Sequence, residues 1–567
     1  MHRHRFAPLL VLSLGFTGLQ LDPAKLHAQS SNDFTPVTDA MLADPSPDDW
    51  LMWRRTLDGW GYSPLNQITR DNVGSLSLAW TRALRTGSME GTPLAYDGVI
   101  YMPNSSDAIQ AIDAVTGDLK WEYLRDLPDD VYDFVGGNAR NNRNIAIYDR
   151  FIVNTSDDDY AFALDATTGE LAWETQIFDY RVTPAGHSSG PIVADGKMIS
   201  GRSCRPAGGP ESCVIVAHDA RTGEELWRRR TVPAPGEPGD ETWGGVPFEQ
   251  RIHVGTWMPP SYDPDLRLIY QGTSVTSPAP KFLLGGIDNK HLYHNSTLAL
   301  DVDTGEIRWY YQHLNDHWDL DHPFERMLVD TAVTPDSSAV SWINPNLRPG
   351  EVRKVMTGIP GKTGVVYTLD RETGEFLLGK AFALQTWAEG LDSNGRPIRR
   401  PGTFPSQEGT LVAPIAGGAT NWWSPAYSPR TGLLYVNAFD GEALFFSREQ
   451  TYTEGNTFTG GGTETPLEID NYASAIRAID PTTGDVTWEF PITPRSRAGV
   501  LATAGDLVFS ASVDGYFYAL DARDGTPLWQ IALGGPVHAS PMTYAVNNQQ
   551  FVTMTIGNVV YTLGLDE

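Results

Sequence analysis

The chain has 567 residues, more than one ordinary domain holds, so it either divides into three or four domains or repeats one supersecondary unit. Lys and Arg total 42 against 70 Asp and Glu, a formal net charge of -28 that argues against nucleic acid or an anionic lipid surface as partner and favours a basic one. With two cysteines and no CxxCH, covalently attached c-type haem is excluded from this sequence.

Residues 1–28 read as a signal peptide: Arg3 and Arg5 precede an apolar run too short to span a bilayer, and Ala28 offers a small residue for cleavage. No later stretch is long and apolar enough to cross a membrane, so the expected location is periplasmic or secreted. Downstream, the pattern Ala-x-Asp-x-x-Thr-Gly-x-x-x-Trp recurs at 111–121, 163–173, 217–227, 299–309, 478–488 and 519–529. Weaker copies at 368–378 and 426–435 bring the expected number to eight. Each copy reads as a strand, a tight turn whose Gly accepts positive φ, and a second strand ending on a large aromatic; a second strand pair precedes most copies. Four short antiparallel strands repeated radially make a β-propeller blade. The expected fold is therefore all-β, one eight-bladed propeller over 29–567 with tryptophan-docking repeats, in which 75–80 (SLSLAW) closes the ring against the C-terminal blade. Trp121, Trp173, Trp227, Trp309, Trp488 and Trp529 are on this reading core residues.

Chemistry is sought off the repeat, where spacing stretches: between Trp227 and Trp309, after Trp309, and across 384–423. The segment 312–326 (QHLNDHWDLDHPFER) crowds Asp316, Asp319 and Asp321 among three histidines. Cys204 and Cys213 bracket a Gly/Pro-rich loop; in an oxidising compartment they read as one disulfide, with two buried thiols as the alternative.

The repeats, together with YSPLNQITRDNVGSLSLAW (62–80), EGTPL (90–94), HWDLD (317–321), GKTGVVYTLDRETG (361–374), NWWSPAYSPRTGLLYV (421–436) and VLATAGDLVFSASVDGYFYALDA (500–522), resemble the pyrroloquinoline quinone (PQQ) dependent alcohol dehydrogenases over essentially the whole mature chain. The resemblance implies a flat quinone with three carboxylates, needing aromatic stacking, cationic and hydrogen-bonding side chains, and one metal ion, calcium or a lanthanide. It assigns the catalytic base to Asp319 and the basic contact to the quinone oxygens to Lys362. It further implies that Trp257 floors the ring, that Asn421 and Trp422 meet its edge, and that Glu90, Arg143, Ser188 and Ser203 contact the cofactor. Asp319 and Asp321 stand as metal ligands, Asp321 where lanthanide-using members carry an extra Asp; Asp316 is a supporting acid or a solvated loop residue.

There are departures from the family pattern. The adjacent-cysteine disulfide that covers PQQ is replaced by Gly137 and Asn138, the metal-binding Asn by Val275 or Thr276, and a Trp before VLATAG by Arg497. The metal-binding Glu has no clean counterpart, and Glu211 stands as its substitute. A more open mouth is expected, for a bulkier secondary or polyol-like alcohol, with electrons leaving to an external acceptor such as a basic soluble cytochrome c. The competing readings are a non-catalytic propeller scaffold that binds proteins, and a hydrolase using Asp319 and Asp321 as a carboxylate pair.

Overall fold

The computed structural model describes residues 34–566 except 88, 276–280, 285, 287–288, 316–317, 339, 341, 359–360 and 469–470. The signal segment, Thr276 and Asp316 lie outside the described residues.

Almost everything described is strand. Seven sheets have four antiparallel strands, and an eighth adds a fifth short strand, Tyr62–Ser63, in parallel. The first sheet runs Leu94–Tyr96, Val99–Pro103, Ile109–Asp113 and Leu119–Tyr123. In this sheet the first three strands are buried almost throughout while the outermost is partly exposed. This gradient explains the composition of the repeats, since a strand packed on both faces reads as a continuous apolar run and an outer one alternates. Hydrophobic clusters fill the spaces between neighbouring sheets.

The repeat's turn has a single physical logic. Asp165 Oδ1 accepts the backbone N–H groups of Thr167 and Thr168, and the same Asp role recurs at Asp113, Asp219, Asp301 and Asp370. Gly169 follows at φ 73°, and the Trp121 indole of the preceding sheet lies where its Cβ would stand. Trp80, Trp173, Trp227, Trp309 and Trp488 cover Gly117, Gly223, Gly305, Gly374 and Gly525 in the same way. Glycine is thus required twice at each turn, by dihedral and by the indole above it. Trp80, Trp121 and Trp227 also donate Nε1–H to the carbonyls of Ala114, Ala166 and Val302, whereas Nε1 of Trp173 and of Trp309 has no partner among the described residues.

Two details of the repeat count need correction. The weak copy at 426–435 is no separate unit: Ala426–Ser428 and Leu433–Phe439 are the first two strands of the sheet completed by Ser474–Ile479 and Val486–Pro491. The remaining sheet has no Thr-Gly turn of its own. Leu76–Ala83 supplies its outer strand by pairing with Val559–Leu565, which ties the start of the described chain to its end. Copy 368–378 lacks a terminal Trp, and at Gly484 of the next sheet Lys380 and Leu378 fill the place an indole takes elsewhere.

Smaller sheets are inserted on the loops: Ala185–Gly186 with Ser203–Cys204, Ala388–Leu391 with Pro397–Arg399, and a three-stranded sheet of Thr410–Val412, Ala443–Ser447 and Gly461–Glu464. These build the surroundings of the site. No helix among the described residues is long and apolar enough to cross a membrane.

Candidate active site

All eight side chains matched to the cofactor line one cavity of about 330 Å³: Glu90, Arg143, Ser188, Ser203, Trp257, Lys362, Asn421 and Trp422. They come from distant parts of the chain because most sit in a loop that leads into the first strand of a sheet. Glu90 precedes Leu94–Tyr96, Arg143 precedes Ala146–Tyr148, Trp257 precedes Ser261–Asp263 and Asn421 precedes Ala426–Ser428. A rigid ring of sheets thereby aims its loops at one point.

The wall of this cavity is held by charge. Arg143 Nη2 is 2.7 Å from Glu90 Oε2, and Arg143 Nη1 donates to Ser188 Oγ at 2.7 Å. The same guanidinium lies 5.4 Å from the Trp257 ring and 5.0 Å from the Trp422 ring, so it is clasped between two indoles. Trp257 packs edge-on against Phe324 at 5.3 Å, in a small apolar cluster with Trp53 and Met258. Asn421 Oδ1 accepts the Trp422 N–H at 2.9 Å and its Nδ2 donates to Gly417 O at 2.9 Å, which orients both members of the pair.

The acidic segment meets this wall at Lys362. Its Nζ lies 3.2 Å from Asp321 Oδ2 and 3.4 Å from Asp319 Oδ1, and donates to Asp319 O at 3.1 Å. Asp321 Oδ1 accepts the Val275 N–H at 2.8 Å, so both carboxylate oxygens of Asp321 are occupied by protein donors. Asp319, at φ 66°, turns its side chain outward and lines a second cavity of about 330 Å³ with Trp318, Ala416, Phe445 and Phe446. Trp318 is fixed by a 2.9 Å bond from Nε1 to Thr403 O and by stacking on Phe404.

Two residues line both cavities, Arg205 and His253, and neither was singled out in the sequence. Burial holds the His253 imidazole below its ordinary value, with Asp321 opposing that shift. The only sequence signals were proximity: His253 lies four residues before Trp257, and Arg205 follows Cys204 directly.

The cysteines do form a disulfide, Cys204 to Cys213, both fully buried. What its loop brings to the site is Arg205. Glu211 is not brought there: its side chain is 56% exposed, pairs with Arg230 at 3.3 Å, and lines neither cavity. Among the described residues no group of three or more His, Cys, Asp or Glu side chains is arranged to hold a metal ion. Val275 offers its N–H to Asp321 and has no side-chain donor atom. The residues lining the inner cavity therefore fit a polyanionic aromatic cofactor, and among the described residues they form no group of three His, Cys, Asp or Glu ligands for a metal ion beside it.

The profile of the PQQ family described as glucose/ethanol/alcohol dehydrogenase, beta-propeller domain, matches residues 50–379, more than half of the chain. A second profile, outer membrane protein assembly factor BamB, matches 473–564. Quinoprotein alcohol dehydrogenase PedH of Pseudomonas putida is 31% identical over 98% of this chain and 93% of its own length. Quinoprotein ethanol dehydrogenase of Pseudomonas aeruginosa is 31% identical over 91% of this chain and 86% of its own. Among solved structures, quinohemoprotein alcohol dehydrogenase ADHIIG from Pseudomonas putida superposes with a TM-score of 0.85 at 30% identity, covering 94% of this chain and 83% of that one. A europium-containing methanol dehydrogenase shares the fold, with a TM-score of 0.82 at 24% identity, covering 93% of this chain and all of that one. The chain belongs to the PQQ-dependent quinoprotein alcohol dehydrogenases, oxidoreductases acting on CH–OH groups.

Proposed function

We propose that the chain oxidises a bulky alcohol to an aldehyde or ketone, with PQQ in the Trp257 cavity and the substrate in the adjoining one. The observation that carries this reading is the junction at Lys362, where eight cofactor-type side chains on one side meet Asp319 on the other. When bound, the quinone supplies a two-electron acceptor for the hydride leaving the alcohol carbon. Arg143, Ser188, Ser203, Asn421 and Glu90 hold its polar edge, and Trp257 supplies a flat apolar surface beneath the ring. Asp319, facing the outer cavity, takes the hydroxyl proton of the substrate. Lys362 provides positive charge where negative charge develops on the cofactor oxygens. No step is assigned to a metal ion.

The outer cavity supports a bulky and partly apolar substrate, because Trp318, Phe445 and Phe446 give it large apolar faces. The eight sheets are read as eight blades, six of them locked by an indole on the turn of the next. The net charge of -28 favours a basic electron acceptor such as a soluble cytochrome c, and the basic-then-apolar N-terminus favours export to the periplasm.

The test is reconstitution. Protein incubated with PQQ should reduce an artificial dye at the expense of alcohols, with bulky secondary alcohols turned over better than methanol, and Asp319→Ala should retain the quinone but lose turnover. Retention of no quinone, read from its absorbance after gel filtration, would overturn the proposal and leave the propeller as a scaffold.

A further inference from the structure

Arg205 is a half-buried cation with no anion paired to it among the described residues. Its Nε is shielded from solvent and without a hydrogen-bond partner, and its guanidinium makes no hydrogen bond or ion pair with any other described residue. Burial lowers the guanidinium from its ordinary value, and the nearest compensating charge is Asp157. A guanidinium that lines a cavity with no protein anion paired to it is placed to take an anionic ligand.

The backbone that carries Arg205 is fixed from three sides. Cys204 is bonded to Cys213, Ser203 and Cys204 pair with Gly186 and Ala185, and the Arg205 N–H donates to Pro184 O at 3.3 Å. The side chain reaches the seam between the two cavities, beside His253. It also lies against Gly136, where an added Cβ would stand 3.0 Å from Nη2. The guanidinium therefore stands beside Gly136, next in sequence to Gly137 and Asn138.

Resting on the PQQ reading above, we propose that the Arg205 guanidinium takes the place of a metal ion in this chain, so that the quinone tricarboxylate is bound without any metal. Three facts converge on this. Among the described residues no group of three His, Cys, Asp or Glu side chains gathers beside the cavity, and Asp321 there already accepts the Val275 N–H and faces the Lys362 ammonium. Two cations, Arg205 and Lys362, line the cavity where a metal's charge would be needed. A guanidinium is planar, permanently charged and matched to carboxylate or quinone oxygens, so it can neutralise an anionic edge and stack on a flat ring.

The experiment is a PQQ titration followed by tryptophan fluorescence and by retained quinone absorbance, on protein stripped with chelator and checked for metal content by mass spectrometry. Binding is expected to be equal, within about threefold, in chelator, in calcium and in lanthanum. Arg205→Ala should weaken it by about tenfold or more, and Arg205→Lys should restore part of that loss; melting curves of both variants verify the fold. Arg205→Glu should make binding depend on added calcium or lanthanum. Wild-type binding only with added metal overturns this inference and leaves the PQQ reading intact, as does metal-free binding that Arg205→Ala leaves unchanged. No binding in any buffer overturns the PQQ reading and this inference together.

Discussion

Lys362 Nζ bridges Asp319 and Asp321, 3.4 Å from Oδ1 of the first and 3.2 Å from Oδ2 of the second, yet the two carboxylates differ sharply in exposure, 50% against 7%. Asp321 is the anchor, closed off by the Val275 N–H, and Asp319 is the acid that meets the outer cavity. The arrangement separates holding the lysine from handling a proton.

That separation predicts different phenotypes for two similar substitutions. Asp319→Asn should lower kcat by about 10²–10⁴-fold with PQQ affinity nearly unchanged, the range of a lost general base. Asp321→Asn should release Lys362, weaken PQQ binding and cost about 3 kcal/mol of stability, as when one partner of a buried pair is removed. Steady-state kinetics beside quinone titration and urea melts distinguish the two; equal losses in both assays for both variants would contradict the division.

Gly361 precedes Lys362, and a Cβ added there would overlap the His322 ring. That ring is fully buried and stacked on His313 at 4.5 Å, with Tyr367 edge-on to both, so it has no room to retreat. Gly361→Ala should therefore displace the Lys362 turn, costing about 1–3 kcal/mol by overpacking and a larger share of activity than of stability. A variant that melts and turns over like wild type would show that the turn is not positioned by this contact.

The Glu90–Arg143 pair lies in the cofactor wall with both side chains under a tenth exposed. Removing only the arginine, as in Arg143→Met, should destabilise by about 3 kcal/mol and abolish tight PQQ binding. Glu90→Gln with Arg143→Met together should be less destabilised than the sum of the single variants, because no charge is then left buried alone. Chemical denaturation of the four proteins in the cycle measures the coupling; strict additivity would mean that the pair is not a unit in solution.

Legibility in the sequence followed the strength of local chemistry. The Asp-x-x-Thr-Gly turn encodes its own hydrogen bonds, its positive φ and its indole neighbour, so the blades could be read from it. The copy at 426–435 misled because an Arg-Thr-Gly turn also suits an inner hairpin, and only long-range pairing with Ser474–Ile479 tells the two apart. The closing strand Leu76–Ala83 was readable because its Trp80 carries the same docking residue. The lining of the inner cavity was legible wherever a motif surrounded the residue, as at Lys362 and Asn421. Arg205 and His253 were not, since nothing local marks a side chain whose role is to stand at a seam between two cavities. Glu211 was misplaced because sequence nearness to the disulfide does not specify which side of the loop faces inward.

His538 gives a prediction about pH. Its ring sits 6.1 Å from that of Trp422 on the cofactor wall, and burial, reinforced by Arg497 and Arg495, pushes its imidazole down to about 4. In the unfolded chain the same group takes its proton near the ordinary 6.5. Between those two values the unfolded state binds a proton that the folded state refuses, so this residue subtracts stability as pH falls from about 6.5 toward about 4 and adds no further change below that. His538→Gln removes the term and leaves the neighbouring arginines in place. The variant should gain on wild type in melting temperature as the buffer is taken from ~pH 7 to ~pH 5. Since the folded ring stays neutral over that interval, PQQ affinity should change alike in wild type and variant. Parallel melting curves across the interval would show that His538 is protonated as readily in the folded protein as in the unfolded chain.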